Sequence, residues 1–284
     1  LKLMPQYTAV VVLTFLLIHW LGPAQHTFLM NQSVEPLKVV LNLALLPANY
    51  VFAPFSIEAL LPHPIIPPAW SLSTEFHFYL LLPVILLLGR WGFLAIFTIA
   101  GAIQIAAMFH GSGIFNSDNF GYRFIFGVLV FFLAGLAYGR REHIFYRNIV
   151  RLYLAAYLCM LLIVAPSLGL YANPRVQELL FGACLAIPML SAAVQIQRPE
   201  AWLKRADDLL GRLAYPIFIS HFFVFLCSEK LLGLTPLQGG ARYVLAVVAG
   251  SLITSLLLIR LQAQVESYRI RRRGFASMAT QSAL

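Results

Sequence analysis

The sequence predicts an all-α, polytopic helical membrane protein of about eight transmembrane helices, and three observations predict it. The 284 residues are 60% hydrophobic and only 11% charged, less than half the roughly one-quarter charged residues of a soluble domain. Mean hydropathy is +0.81. Apolar runs of about 18–22 residues follow one another, each long enough to cross a hydrocarbon core about 30 Å thick. Unpaired backbone groups are too costly in lipid for anything but helices or a closed barrel. The runs lack the strict alternation of barrel strands, which leaves helices. Soluble enzymes, nucleic-acid-binding modules and disulfide scaffolds are set aside on the same grounds. The excess of 20 basic over 11 acidic residues marks cytoplasmic loops rather than a nucleic-acid surface.

Spans are expected at 4–22, 69–89, 91–109, 122–139, 151–170, 176–194, 212–232 and 242–261. Gly22-Pro23, Gly111-Ser112-Gly113, Asn173-Pro174, Arg198-Pro199 and Gly239-Gly240 punctuate them, as helix breakers should. Segment 38–53 is apolar but carries Asn42, Pro47 and Asn49, so it reads as a re-entrant or interfacial piece within the long loop 23–68. The run Pro62–Pro68 then forces an extended approach to the next helix. Residues 1–273 form one transmembrane domain, and the small, polar tail 274–284 is expected to be disordered. Cys159, Cys184 and Cys227 lie in apolar segments without a CxxC, so neither a metal site nor a disulfide frame is indicated. No signal peptide is read at the N-terminus.

With the N-terminus placed in the cytoplasm, alternation through eight spans puts fifteen Lys and Arg inside and five outside, Lys38 and Arg123 among the latter. Cytoplasmic loops carry such an excess. Both termini are expected to lie inside.

In a chain this apolar, ionisable groups at membrane depth are costly and carry most of the information. In Trp70-Ser71-Leu72-Ser73-Thr74-Glu75-Phe76-His77-Phe78-Tyr79-Leu80, the spacing i, i+4, i+8 sets Ser71, Glu75 and Tyr79 on one helical stripe. Glu75 reads equally well as an interface residue beside the aromatic anchor Trp70. Arg123, in Tyr122-Arg123-Phe124, either snorkels to the surface or neutralises Glu75, with snorkelling favoured. His221 closes Gly211-Arg212-Leu213-Ala214-Tyr215-Pro216-Ile217-Phe218-Ile219-Ser220-His221 near mid-membrane. A lone histidine there is more often a packing residue, yet it is also the side chain best suited to moving protons. Glu266 precedes the basic cluster Arg269, Arg271, Arg272 and Arg273, which stops the last span.

Taken in order, these four places resemble the membrane-bound acyltransferase 3 family. The most specific match is Trp70-Ser71-Leu72 with Glu75 and Phe78-Tyr79-Leu80, followed by Pro83. Arg123-Phe124 with Gly127 looks like the family's Arg-Phe-x-x-Gly element, and Gly211–His221 is similar to its late segment. Ala214 stands there in place of the usual Ser, and Phe218 in place of Tyr. The resemblance implies about ten spans. Lys2–Tyr7 looks like the end of the element that opens the family's third span. Two family helices, with the histidine proposed as principal base, are therefore expected to be missing from this sequence.

The resemblance further implies an integral membrane acyltransferase of the bacterial inner membrane. It would move an acyl group, acetyl above all, from cytoplasmic acyl-CoA to a hydroxyl of a cell-envelope or exported carbohydrate or lipid-linked acceptor. Glu75, His221 and Arg123 are the expected catalytic residues; Trp70, Ser71, Tyr79, Tyr215 and Arg212 are expected to bind substrate. No bound cofactor, metal or nucleic-acid partner is expected; the bilayer is. A transporter or flippase using the same polar seam, and an inactive fragment, remain the alternatives.

Overall fold

A computed structural model describes residues 4–26, 30, 34–45, 65–110, 115–139, 144–169 and 200–281, with some positions of 177–192. Seven of its helices are long and apolar enough to cross a membrane. Six of these cover all but at most the last one or two residues of six of the eight expected spans, and the seventh, Ile144–Val164, begins and ends earlier than the expected 151–170. The described positions of 176–194 are helical, but most of that span lies outside the described residues. The chain divides into two compact units.

The first unit comprises residues 1–44, 63–69 and 200–284. It is built from α1 (Met4–Leu21), a short α2 (Pro36–Ala44), α7 (Ala201–Leu232) and α8 (Gly240–Gln281). Helices α7 and α8 pack closely because their contact is lined by small residues. A Cβ on Gly250 would come within 2.7 Å of Val224, and Ser251 and Ser255 are buried beside it. Between helices in lipid, where apolar burial gives no preference for a partner, such close approach is the main attraction. Gly233 ends α7 in the left-handed region at φ 63°, its amide donating to Ser228 O. This is the common glycine stop. Thirty-two and forty-two residues give helices about 48 and 63 Å long. Both therefore continue beyond a ~30 Å core. Helix α8 runs to Gln281, into the tail expected to be disordered.

The connection after α1 returns along the helix it has just left. At one end, Glu229 accepts the Gln25 amide at 2.5 Å and the His26 amide at 3.2 Å, and Ile18, Ala24, Met30 and Leu226 form a small apolar cluster. At the other end, the Tyr7 hydroxyl donates to Asn42 O at 2.8 Å. Ile18 and Tyr7 are eleven residues apart, about 16 Å along the axis. The described part of 38–53 thus lies against α1, and 46–64 lies outside the described residues. Asn42 pins the turn-back: its Oδ1 accepts the Ile65 amide at 2.9 Å and its Nδ2 donates to Lys38 O at 2.8 Å. Lys38, counted above among the cations of an exposed loop, is 7% exposed.

The second unit comprises 45–62 and 70–199. It contains α3 (Ala69–Leu87), α4 (Gly89–His110), α5 (Ile125–Gly139) and α6 (Ile144–Cys159). The α3–α4 turn needs Gly89, at φ 52°. In α6, Tyr146, Val150, Tyr153 and Tyr157 are buried at helical spacing while Arg147 and Arg151 on the opposite face are exposed. That continuous apolar stripe explains why the helix starts earlier than the expected 151. Phe93 meets Tyr146 edge-on at 4.9 Å, and Phe97 meets Tyr153 at 5.3 Å. The fully buried Gln104 accepts the Tyr157 hydroxyl proton and donates to Met108 Sδ. Polar side chains of this kind tie helices together in lipid.

Candidate active site

The site in the second unit is organised by a distortion ahead of α5. Residues Asn119–Arg123 form one π-helical turn, a geometry that recurs at functional positions because it shifts side chains out of α-helical register. The turn is held tightly. A Cβ on Gly127 would lie 1.3 Å from Phe120 O and 2.3 Å from Phe120 C, so only glycine allows α5 to seat that backbone. Gly127 is the last residue of the Arg-Phe-x-x-Gly element, and its requirement is now physical.

The π turn ends on Arg123. Asp118 grips its guanidinium with both oxygens, Oδ2 at 3.1 Å from Nε and Oδ1 at 3.3 Å from Nη2. Bidentate pairs of this kind fix orientation as well as charge. The guanidinium carbon lies 5.5 Å from the Trp70 ring centroid and 5.9 Å from that of Tyr122. Those two rings are 5.0 Å apart and tilted by 51°. Arg123 is thus held over two aromatic faces, which attract cations. The Thr74 hydroxyl links α3 to the turn, lying 2.8 Å from Trp70 O and 2.9 Å from Arg123 O. Trp70, Ser71, Thr74 and Tyr122, with Val128, Phe131, Phe132 and Gly135 of α5, line an open cavity of about 440 Å³.

The ion-pair partner shown for Arg123 is Asp118, not Glu75. The Arg123 side chain is 14% exposed. The Tyr79 hydroxyl instead donates to Glu75 Oε1 at 2.5 Å. Tyr79 is exposed and Glu75 half-buried. The stripe divides for a geometric reason. Each i+4 step overshoots a full turn by about 40°, so eight residues rotate the side chain by about 80°. Ser71 faces the cavity, and by Tyr79 the stripe has turned outward.

His221 belongs to the first unit, on α7. Its Nδ1 lies 3.2 Å from Ile217 O. In the neutral ring Nδ1–H donates to that carbonyl, which leaves Nε2 as the basic nitrogen. Phe222 and Phe225 surround the imidazole, with centroids at 4.8 and 5.5 Å. Of the other expected residues, Tyr215 is half-buried and Arg212 exposed, both on α7. Sequence reasoning missed Asp118, which reads as one more polar residue in a turn-rich connection. Its only signal is an acid five residues ahead of an arginine.

Fold and cavity together define a polytopic helical membrane protein with an aromatic-walled, largely apolar cavity beside a fixed arginine at a distorted helix start. The chain belongs to the acyltransferase 3 family: the family's acyltransferase-domain profile matches residues 2–260. It is a membrane acyltransferase, of the kind that transfers groups other than aminoacyl groups. The chain is similar to an uncharacterised protein of Aquifex aeolicus (strain VF5), 30% identical over 211 residues, which are 72% of this chain and 89% of the relative. No solved structure matches it.

Proposed function

We propose that the protein transfers an acyl group, acetyl above all, from acyl-CoA to a hydroxyl of an envelope or exported carbohydrate. The observation that carries this reading is the fixed cation Arg123 over the Trp70–Tyr122 walls of a roomy cavity. Indole and phenol rings suit an acceptor with an apolar face and polar edges, and a sugar ring is such an acceptor.

In the reaction the acceptor oxygen adds to the thioester carbonyl and its proton passes to a base. The C–S bond then breaks and CoA leaves as the thiol. Positive charge near the carbonyl oxygen stabilises the developing oxyanion, the part assigned to Arg123. His221, through Nε2, and Glu75 are the proton-handling groups of this chain. Trp70, Ser71 and Tyr79 bind the acceptor side. The CoA phosphates are assigned to Arg212, beside Tyr215, and to the exposed arginines of α8, whose charge draws anions. The enzyme is placed in a bacterial inner membrane with both ends of the described chain inside, where the basic residues concentrate.

The test is release of free CoA in proteoliposomes given radiolabelled acetyl-CoA and envelope carbohydrate. Acceptor-dependent release is expected, and His221→Gln is expected to slow it about 10²-fold, the usual scale of a lost acid–base group. Glu75→Gln is expected to slow it as well; unchanged turnover would make Glu75 an interface residue. Carbohydrate flux without CoA release would instead mean a transporter.

A further inference from the structure

The first unit buries hydroxyls on each of its three long helices: Thr14 on α1, Ser220 on α7, and Ser251 and Ser255 on α8. Two of them are orphans. Among the described residues neither Thr14 Oγ1 nor Ser220 Oγ has a hydrogen-bond partner, although both residues are fully buried. A hydroxyl taken out of water and left unbonded is costly. Small residues account for the close approach of α7 and α8, but glycine or alanine would serve that purpose as well. Close packing therefore leaves the two orphans unexplained.

The orphans lie at nearly one height. Gln6 Nε2 donates to Leu258 O at 3.1 Å, Ile18 shares an apolar cluster with Leu226, and Gly250 faces Val224. Helix α1 therefore runs alongside α7 in the same direction, and against α8. Counted from these contacts at 1.5 Å per residue, Thr14 and Ser220 differ in height by about 3 Å, and Ser220 and Ser255 by about 1.5 Å. The Ser255 hydroxyl donates to Ser251 O at 2.6 Å, which leaves its oxygen able to accept. Three fully buried hydroxyls, one from each helix, thus share one level of the unit.

The chemistry of this level narrows what it can hold. No Asp or Glu occurs in 4–21, 213–228 or 241–265, so a cation would find no counter-charge on these stretches. Hydroxyls both donate and accept, and a partner for all three must do the same. Short serine side chains leave space that a branched apolar residue would fill, and that space is small. We propose that α1, α7 and α8 enclose a buried water molecule that bridges the Thr14 and Ser220 hydroxyls, with Ser255 Oγ as its third partner. A buried water typically makes about three hydrogen bonds to groups that otherwise have none. The site belongs to the first unit and does not rest on the reaction proposed above.

The test is made on the full chain in lipid bilayers. Magnetisation transferred from water, read by solid-state NMR, is expected to reach Thr14 and Ser220 of the wild type well before it reaches Val10 and Val11. Those two valines are equally buried on α1 and have no polar side-chain atom. Thermal unfolding of Thr14→Val, Ser220→Ala and the double variant gives an independent reading. Each single change strands the opposite hydroxyl, so each is expected to lower Tm by a few degrees. The double change strands neither, so it is expected to cost no more than either single one. Transfer to Thr14 and Ser220 no faster than to the valines overturns the proposal, and so does coupling in the Tm cycle without that transfer, which means a direct bond between the two hydroxyls. Single variants that each raise Tm, with effects that add, overturn it as well, since they mean two independent orphans. If a variant fails to fold, the wild-type transfer alone decides.

Discussion

Gly127→Ala is expected to abolish acyl transfer and to lower the unfolding temperature sharply. The added methyl would sit 1.3 Å from Phe120 O, with Phe120 C and Cα within 3 Å. These are backbone atoms of the π turn, so no side-chain rotation relieves the clash. Overpacking of side chains typically costs about 1–3 kcal/mol; a collision with backbone is expected at or above the upper end of that range. Relief requires α5 to move away from the turn or the π turn to rewind as α-helix. Either change carries Arg123 off the Trp70 and Tyr122 rings. Gly139→Ala is the control. It lies on the same helix, and a Cβ there meets nothing within 4 Å, so Tm and turnover are expected to stay close to wild type. A Gly127→Ala protein with wild-type Tm would show that the turn relaxes freely.

Arg123→Gln is the second large effect. It removes the positive charge that the reaction scheme places by the oxyanion, and losing one such group typically costs about 10²–10³ in kcat. Arg123→Lys is expected to rescue little, since an ammonium cannot make the two-pronged contact with Asp118 or lie flat over the rings. Asp118→Asn leaves the charge and loosens its hold, so the loss is expected to be smaller, about tenfold. Because the two side chains act as one unit, Asp118→Asn combined with Arg123→Gln is expected to be no worse than Arg123→Gln alone. Full additivity would mean that Asp118 acts on its own. Steady-state kcat and KM for acetyl-CoA, with Tm as the folding control, separate these outcomes.

The spans were legible because runs of apolar residues signal helices whatever their neighbours do. Their lengths were less so. Helices α7 and α8 outrun their apolar stretches, as residues such as Lys204, Arg205, Asp207 and Asp208 continue the helix without a breaker. The candidate site was legible in its motifs but not in its pairing. Spacing placed Ser71, Glu75 and Tyr79 on one stripe, and only the accumulated helical rotation sends Tyr79 outward. Arg123 had a carboxylate to find, yet the sequence could not tell the distant Glu75 from the nearby Asp118, because the π turn that folds Asp118 back has no composition signal. Gly127 was visible as part of a motif, while its reason, the approach of Phe120 O, exists only in three dimensions.

The proposed reaction places acylation of the acceptor alcohol in the cavity between α3 and α5. Gly135 lines that cavity, and a Cβ there meets nothing within 4 Å. Gly135→Leu therefore fills the space without disturbing the π turn or the Arg123–Asp118 pair. The decisive measurement is the acceptor KM of this variant in the CoA-release assay, at wild-type Tm. A rise of at least about tenfold is expected, the scale on which a filled apolar pocket discriminates, with KM for acetyl-CoA little changed. An unaltered acceptor KM with full turnover would place the acceptor elsewhere and contradict the proposed reaction.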